Sequence, residues 1–165
     1  MAADEKTGRT GNGSVANPEP TVQMLGQYVK DLSFENPNAP QSFVQQQPQA
    51  KLDVKIAVAI KELGDNTHEV GLNIENRLGT DTNVLFHLQL DYAGAFRIEN
   101  LPPEIQHQVL RVQCPSLLFP FARRLIADLT RDGGFPQLYL DPVDFGQLYM
   151  QEMARQQAVA SKPAV

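Results

Sequence analysis

The stretch KLDVKIAVAIKELGDNTHEVGLNI, Lys51 to Ile74, decides the fold. Its first half alternates strictly, with Leu52, Val54, Ile56, Val58 and Ile60 on one side and Asp53, Lys55, Ala57, Ala59 and Lys61 on the other. That is the two-residue period of a β-strand with one apolar face. Gly64, Asp65 and Asn66 then supply turn chemistry, and His68, Val70, Leu72 and Ile74 resume the alternation. Two such runs joined by Gly-Asp-Asn predict an antiparallel hairpin.

Working outward, LGTDTN makes a further turn, and from Asn83 the chain alternates again with Val84, Phe86, Leu88 and Leu90 on one face. Gly94 reads as a bulge, after which Phe96 and Ile98 take up the apolar role. Upstream, YVKDLSFENPNAP, Tyr28 to Pro40, begins as a strand and ends as a loop. Alternation puts Tyr28, Lys30, Leu32 and Phe34 on one side and Val29, Asp31, Ser33 and Glu35 on the other. The proline-bearing run NPNAPQSFVQQQPQ predicts a long extended crossover anchored by Phe43 and Val44. Four antiparallel strands of meander type result.

Helical spacing takes over at Leu101. Pro103 and Glu104 mark a start, with Ile105, Val109 and Val112 on one face. A second helix begins at Cys114, its wide stripe formed by Leu117, Leu118, Phe121, Ala122, Leu125, Ile126 and Leu129, with a bend expected at Pro120 and a cap at Gly133 or Gly134. A last helix is predicted from Pro142 with Asp141 as its N-cap, carrying Phe145, Leu148, Tyr149 and Met153 on one face. Strands followed by helices define an α+β domain.

The chain has 165 residues, 42% hydrophobic and 20% charged, enough for one domain with its own core. Residues 1–21 read as a disordered tail, 22–156 as the folded domain and 157–165 as a flexible tail. With no signal-like apolar core near Met1 and no apolar run approaching the ~20 residues of a membrane helix, the expectation is a cytoplasmic protein without membrane insertion. Cys114 stands alone, so a disulfide framework is excluded and a buried hydrophobe is expected there. Net charge is −5, from 14 basic and 19 acidic residues, with no cluster of Lys and Arg suited to a phosphate backbone. Nucleic acid is therefore not an expected partner; a cationic protein surface fits better.

Enzyme motifs are missing: there is no phosphate-binding loop, no G-x-S-x-G and no C-x-x-C, and His68, His87 and His107 are scattered. Four residues along a strand span about 13 Å, too far for Asp31 and Glu35 to work as the carboxylate pair of a glycosidase, which keeps ~5 to 9.5 Å. On the residues alone they are either solvated or part of a docking surface.

The runs YVKDLSFENPNAP and CPSLLFPFARRLIADLTRDGGFPQLYLDPVDF together resemble the SecB family of protein-export chaperones, over about Tyr28 to Met153. The resemblance implies a four-stranded antiparallel sheet with C-terminal helices, assembled as a homotetramer, a dimer of dimers. It implies a holdase that keeps unfolded precursor proteins competent for translocation and delivers them to the SecA motor, with no cofactor and no catalysis of its own. Asp31 and Glu35 match the strand carboxylates that meet SecA, and Leu85 matches a further contact. An acidic residue is implied two places after Leu85, but position 87 is histidine, and Asp81, Glu69 and Glu75 are the nearby carboxylates able to stand in. The acidic C-terminal tail common in the family is also absent, since this chain ends RQQAVASKPAV. Client binding is implied near Leu52 and Val54, with Tyr149 and Met153 on a movable last helix. The rival reading is a non-chaperone homo-oligomeric module; the two differ in whether apolar surface remains open after assembly.

Overall fold

A computed structural model describes residues 17–45 and 48–162. The expected N-terminal tail lies largely outside the described residues. Four strands, β1 (Thr21–Glu35), β2 (Lys51–Gly64), β3 (Thr67–Gly79) and β4 (Val84–Glu99), form one antiparallel sheet in the order β1-β4-β3-β2. The connection from β1 to β2 thus passes from one edge of the sheet to the other, as the crossover reading expects. It is not wholly extended, however: Gln41–Val44 forms a short helix, α1. Phe43 rests against Phe135, with ring centroids 5.6 Å apart, whereas Val44 projects into solvent and anchors nothing.

The β2–β3 hairpin forms where the sequence places it. Asp65 and Asn66 both have positive φ, 49° and 56°, the left-handed pair that a tight hairpin turn requires and that Asp and Asn tolerate. β1 begins at Thr21, seven positions before Tyr28, and it carries the sheet's irregularities. Its register with β4 slips between Met24 and Gly26 and again between Val29 and Asp31, so Leu25 and Lys30 are bulged residues. No slip occurs at Gly94, where the sequence suggests a bulge. Gly94 instead gives room, because a Cβ there would come within 2.9 Å of both Leu118 and Phe96. The Lys30 bulge also corrects the faces of β1. Val29, Leu32 and Phe34 pair with the core-facing Tyr92, Leu90 and Leu88, while Tyr28 shares the outer face with Asp31, Ser33 and Glu35.

The helices cover the other face. α2 (Pro103–Gln108) and α3 (Cys114–Asp132) are joined by a π-helical turn, Val109–Gln113, into one rod. Val70, Leu72, Ile74, Leu88 and Phe96 meet Leu118, Ala122 and Ile126 in the core. Val109 and Leu110 are buried, whereas Ile105, one regular α turn before Val109 and expected on the same stripe, is exposed near the start of the rod. Cys114 is fully buried and its thiol is pushed up to about 12 by desolvation, which leaves it a packing residue. At the end of α3, Gly134 takes φ +88°, and Phe135 N–H and Gly134 N–H close on the carbonyls of Thr130 and Arg131. Buried Thr130 donates to Ile126 and accepts from Leu138 N–H at 2.9 Å, pinning the following extended segment.

The last helix, α4, runs Phe145–Ala160. Its N-cap is Asp144, whose carboxylate accepts from Gln147 N–H at 2.9 Å, not Asp141; Pro142 precedes the helix. Extended backbone at Asp144 is what allows its side chain to reach that third amide. The helix also continues past residue 156, through part of the expected C-terminal tail.

Candidate functional site: a groove and a charged sheet face

Because β2 is an edge strand, its outer backbone lies open, and α4 passes beside it. Between them runs a groove of about 710 Å³ whose lining includes Val54, Ile56 and Val58 from β2, Leu148 and Tyr149 from α4, and Arg111 from the π turn. The strand's apolar side chains are only half covered, with Val54 38% and Leu52 42% exposed. Tyr149 is held by a 2.9 Å hydrogen bond between its hydroxyl and His107 Nδ1. Of the residues expected to meet a client, Val54 and Tyr149 line the groove together. Leu52 lies one alternation before Val54 and outside the lining, and Met153 one helical turn beyond Tyr149, half-buried and outside it as well.

The apolar side chains of β2 and α4 share the lining with charged Lys55, Arg111, Asp144, Glu152 and Arg155. That arrangement leaves room for an extended chain to lie along the open edge of β2. Ile56, Val58 and Leu148 were legible as members of apolar faces. Arg111 was not, since its direction depends on the π turn.

The second region is the outer face of the sheet. Asp31 stands opposite Asp91 across β1 and β4, and Glu35 opposite His87. His87 Nε2 lies 2.9 Å from Glu75 Oε1, and Lys55 Nζ lies 3.7 Å from the same carboxylate. Glu75 is held below its usual range, first by the hydrogen bond to His87 and then by the charge of Lys55. Glu69 has a different fate. Tyr28 and Lys30 reach across β4, where Ala93 and Ala95 leave room, and both meet Glu69 at 2.7 Å. Lys30 and then Tyr28 hold the Glu69 carboxyl below its usual range, and the Glu69 carboxylate pushes the Tyr28 phenol up to about 12. Of the carboxylates able to offset histidine at position 87, Glu75 touches it and Glu69 is engaged elsewhere. Leu85 is the extra residue at a bulge in β4 and is 8% exposed, so little of its side chain is presented. Among the described residues no cluster of His, Cys, Asp or Glu could hold a metal ion, and no helix is long and apolar enough to cross a membrane.

An antiparallel four-stranded sheet with a helical rod on one face and a last helix flanking an open strand edge defines a SecB-like fold. A Mycobacterium tuberculosis SecB-like chaperone, solved in complex with a peptide from an antitoxin, shares it with a TM-score of 0.61 at 16% identity, over 74% of this chain and 90% of that one. The profile of the family described as Preprotein translocase subunit SecB matches residues 15–156. A protein-export protein SecB from Rhodopseudomonas palustris strain BisB5 is 52% identical over 88% of this chain and 94% of its own length, and one from Methylocella silvestris is 44% identical over 94% and 96%. The chain belongs to the SecB family.

Proposed function

We propose that this protein is a cytoplasmic protein-export chaperone without catalytic activity or cofactor. It holds unfolded precursors in the groove between β2 and α4 and passes them to SecA through the outer sheet face. The observation that carries this reading is the groove itself, a trough with apolar side chains along an open strand edge, half uncovered in the folded chain. Extended unfolded segments present apolar side chains and unpaired backbone groups, and an open edge beside apolar walls can receive both. Family membership supports the same conclusion. Val54 and Tyr149 are the contact residues, with Leu52 and Met153, their neighbours along β2 and α4, as further contacts.

For docking, Asp31 and Glu35 supply negative charge along β1, and Glu75 supplies the carboxylate that His87 does not. Leu85, mostly covered, has a minor part. A homotetramer, built as a dimer of dimers, is supported by the apolar residues left exposed on α3, Leu117 and Phe121, and along β1, Val22, Leu25 and Val29. The test is to dilute a denatured, slow-folding precursor into the native protein without nucleotide. Arrest of refolding in a soluble complex is expected; refolding at the unassisted rate would refute the reading.

A further inference from the structure

The rod from Pro103 to Asp132 contains one break in its helical count, the π turn at Val109–Gln113, and Arg111 sits at the centre of that turn. One added residue rotates the downstream helix by about 100° relative to an unbroken α-helix. The rod can therefore bury Val109, Leu110, Cys114 and Leu118 in the same core while Arg111 is directed to the gap beside β2. There its guanidinium Nη1 donates to the Val58 carbonyl at 3.3 Å and lies 3.5 Å from the Glu152 carboxylate. A single side chain joins the helical rod, the open sheet edge and α4.

α4 has few other ties. Phe145, its only buried residue among those described, fixes the N-terminal end, Leu148 packs against the core, and Tyr149 meets His107. Arg111–Glu152 is the outermost ion pair holding α4 to the rest of the described chain. The remainder of the helix beyond Glu152 is exposed except for half-buried Met153.

We propose that Arg111 is the positioning residue of the groove: by gripping Val58 and Glu152 at once it sets the spacing between the β2 edge and α4 and holds α4 over a captured segment. This rests on the holdase reading, since the occupant is an extended apolar segment of an unfolded protein. A partly exposed charge pair contributes modestly and is screened by salt. Arg111 therefore governs how long a segment stays more than whether it enters.

The test uses reduced, carboxymethylated α-lactalbumin, a permanently unfolded probe, and follows its dissociation from the assembled protein at low and high sodium chloride. Release from the unaltered protein should quicken with salt. Glu152→Gln, a change on the exposed side of α4, and Arg111→Met should each speed release at low salt by roughly twofold to fivefold and abolish the salt response, while Arg111→Lys, which keeps the charge, should restore part of both. Unchanged release from Glu152→Gln and Arg111→Met would overturn the proposal. A second readout needs no client: spin labels at Ala59 and Gln156 should give a broader distance distribution in Glu152→Gln. An unchanged distribution overturns the positioning role even if the unaltered protein fails to bind the probe, a failure that would refute the holdase reading itself.

Discussion

Reversing both β1 carboxylates, Asp31→Lys with Glu35→Lys, should separate docking from folding in a way the register makes specific. Asp31 faces Asp91 directly across the sheet, a like-charged pair that costs stability. Lysine at position 31 would face Asp91 as an opposite charge, turning that repulsion into an attraction worth about 0.2 to 1 kcal/mol in favour of the fold. At position 35 lysine would face His87, whose ring already bonds Glu75, so little is lost there. Thermal stability should therefore hold or rise slightly. Docking should move the other way. Each exposed carboxylate contributes about 0.2 to 1 kcal/mol toward a cationic partner, and reversal replaces attraction by repulsion, so two positions together cost about 1 to 4 kcal/mol per face. Multiplied over the faces of an oligomer through avidity, that is enough to abolish SecA association at moderate salt. Calorimetric titration with SecA, alongside a melting curve and a client-holding assay, measures all three properties. Unaltered SecA affinity in the double variant would show that these carboxylates are merely solvated, and a fall in melting temperature would contradict the assigned register.

Thr130→Val keeps the shape of the side chain but leaves Leu138 N–H without its acceptor, and denaturant unfolding should show a loss of about 1 to 3 kcal/mol. The Tyr28 phenol is raised from its ordinary 10 to about 12 by Glu69, so the stability it brings is complete below pH 10 and is lost as pH climbs toward 12. Ultraviolet titration of the four tyrosines should show Tyr28 ionising near 12 and a second late tyrosine, Tyr92, raised by burial, and Tyr28→Phe should lower the amplitude of the late step by one tyrosine while leaving that of Tyr92. Polar replacement of Tyr149 and Met153 together should weaken client capture while light scattering still reports an intact assembly; dissociation of the assembly would show that the pair packs structurally instead.

Periodicity made the apolar strand faces and the broad stripe of α3 legible, because burial on one side of a sheet or helix leaves a direct trace in residue order. It placed Val54 and Tyr149 on apolar faces, while their part in client binding came only from the resemblance to the SecB family. The features that escaped were places where the count changes by one residue. The Lys30 bulge moved Tyr28 to the outer face, and nothing in YVKDLSFE distinguishes a bulged lysine from a regular one. The π turn likewise turned Arg111 into the groove, since the rod adjusts its winding to keep Leu110 and Leu118 in one core. Gly94 misled in the opposite direction, its role being to admit Leu118 and Phe96 at close range. The cap of α4 depended on choosing between Asp141 and Asp144, and only backbone conformation decides that.

The central claim, that unfolded chains lie in the groove between β2 and α4, is tested most directly by placing a photoreactive residue at Val54 and, in a separate variant, at Asp31. Each would be irradiated with an unfolded precursor and with the same precursor after folding. The account predicts cross-links from position 54 to the unfolded precursor only, and none from position 31 on the outer face. Cross-links from position 31 equal to those from position 54, or none from position 54 while the precursor remains held in solution, would contradict it.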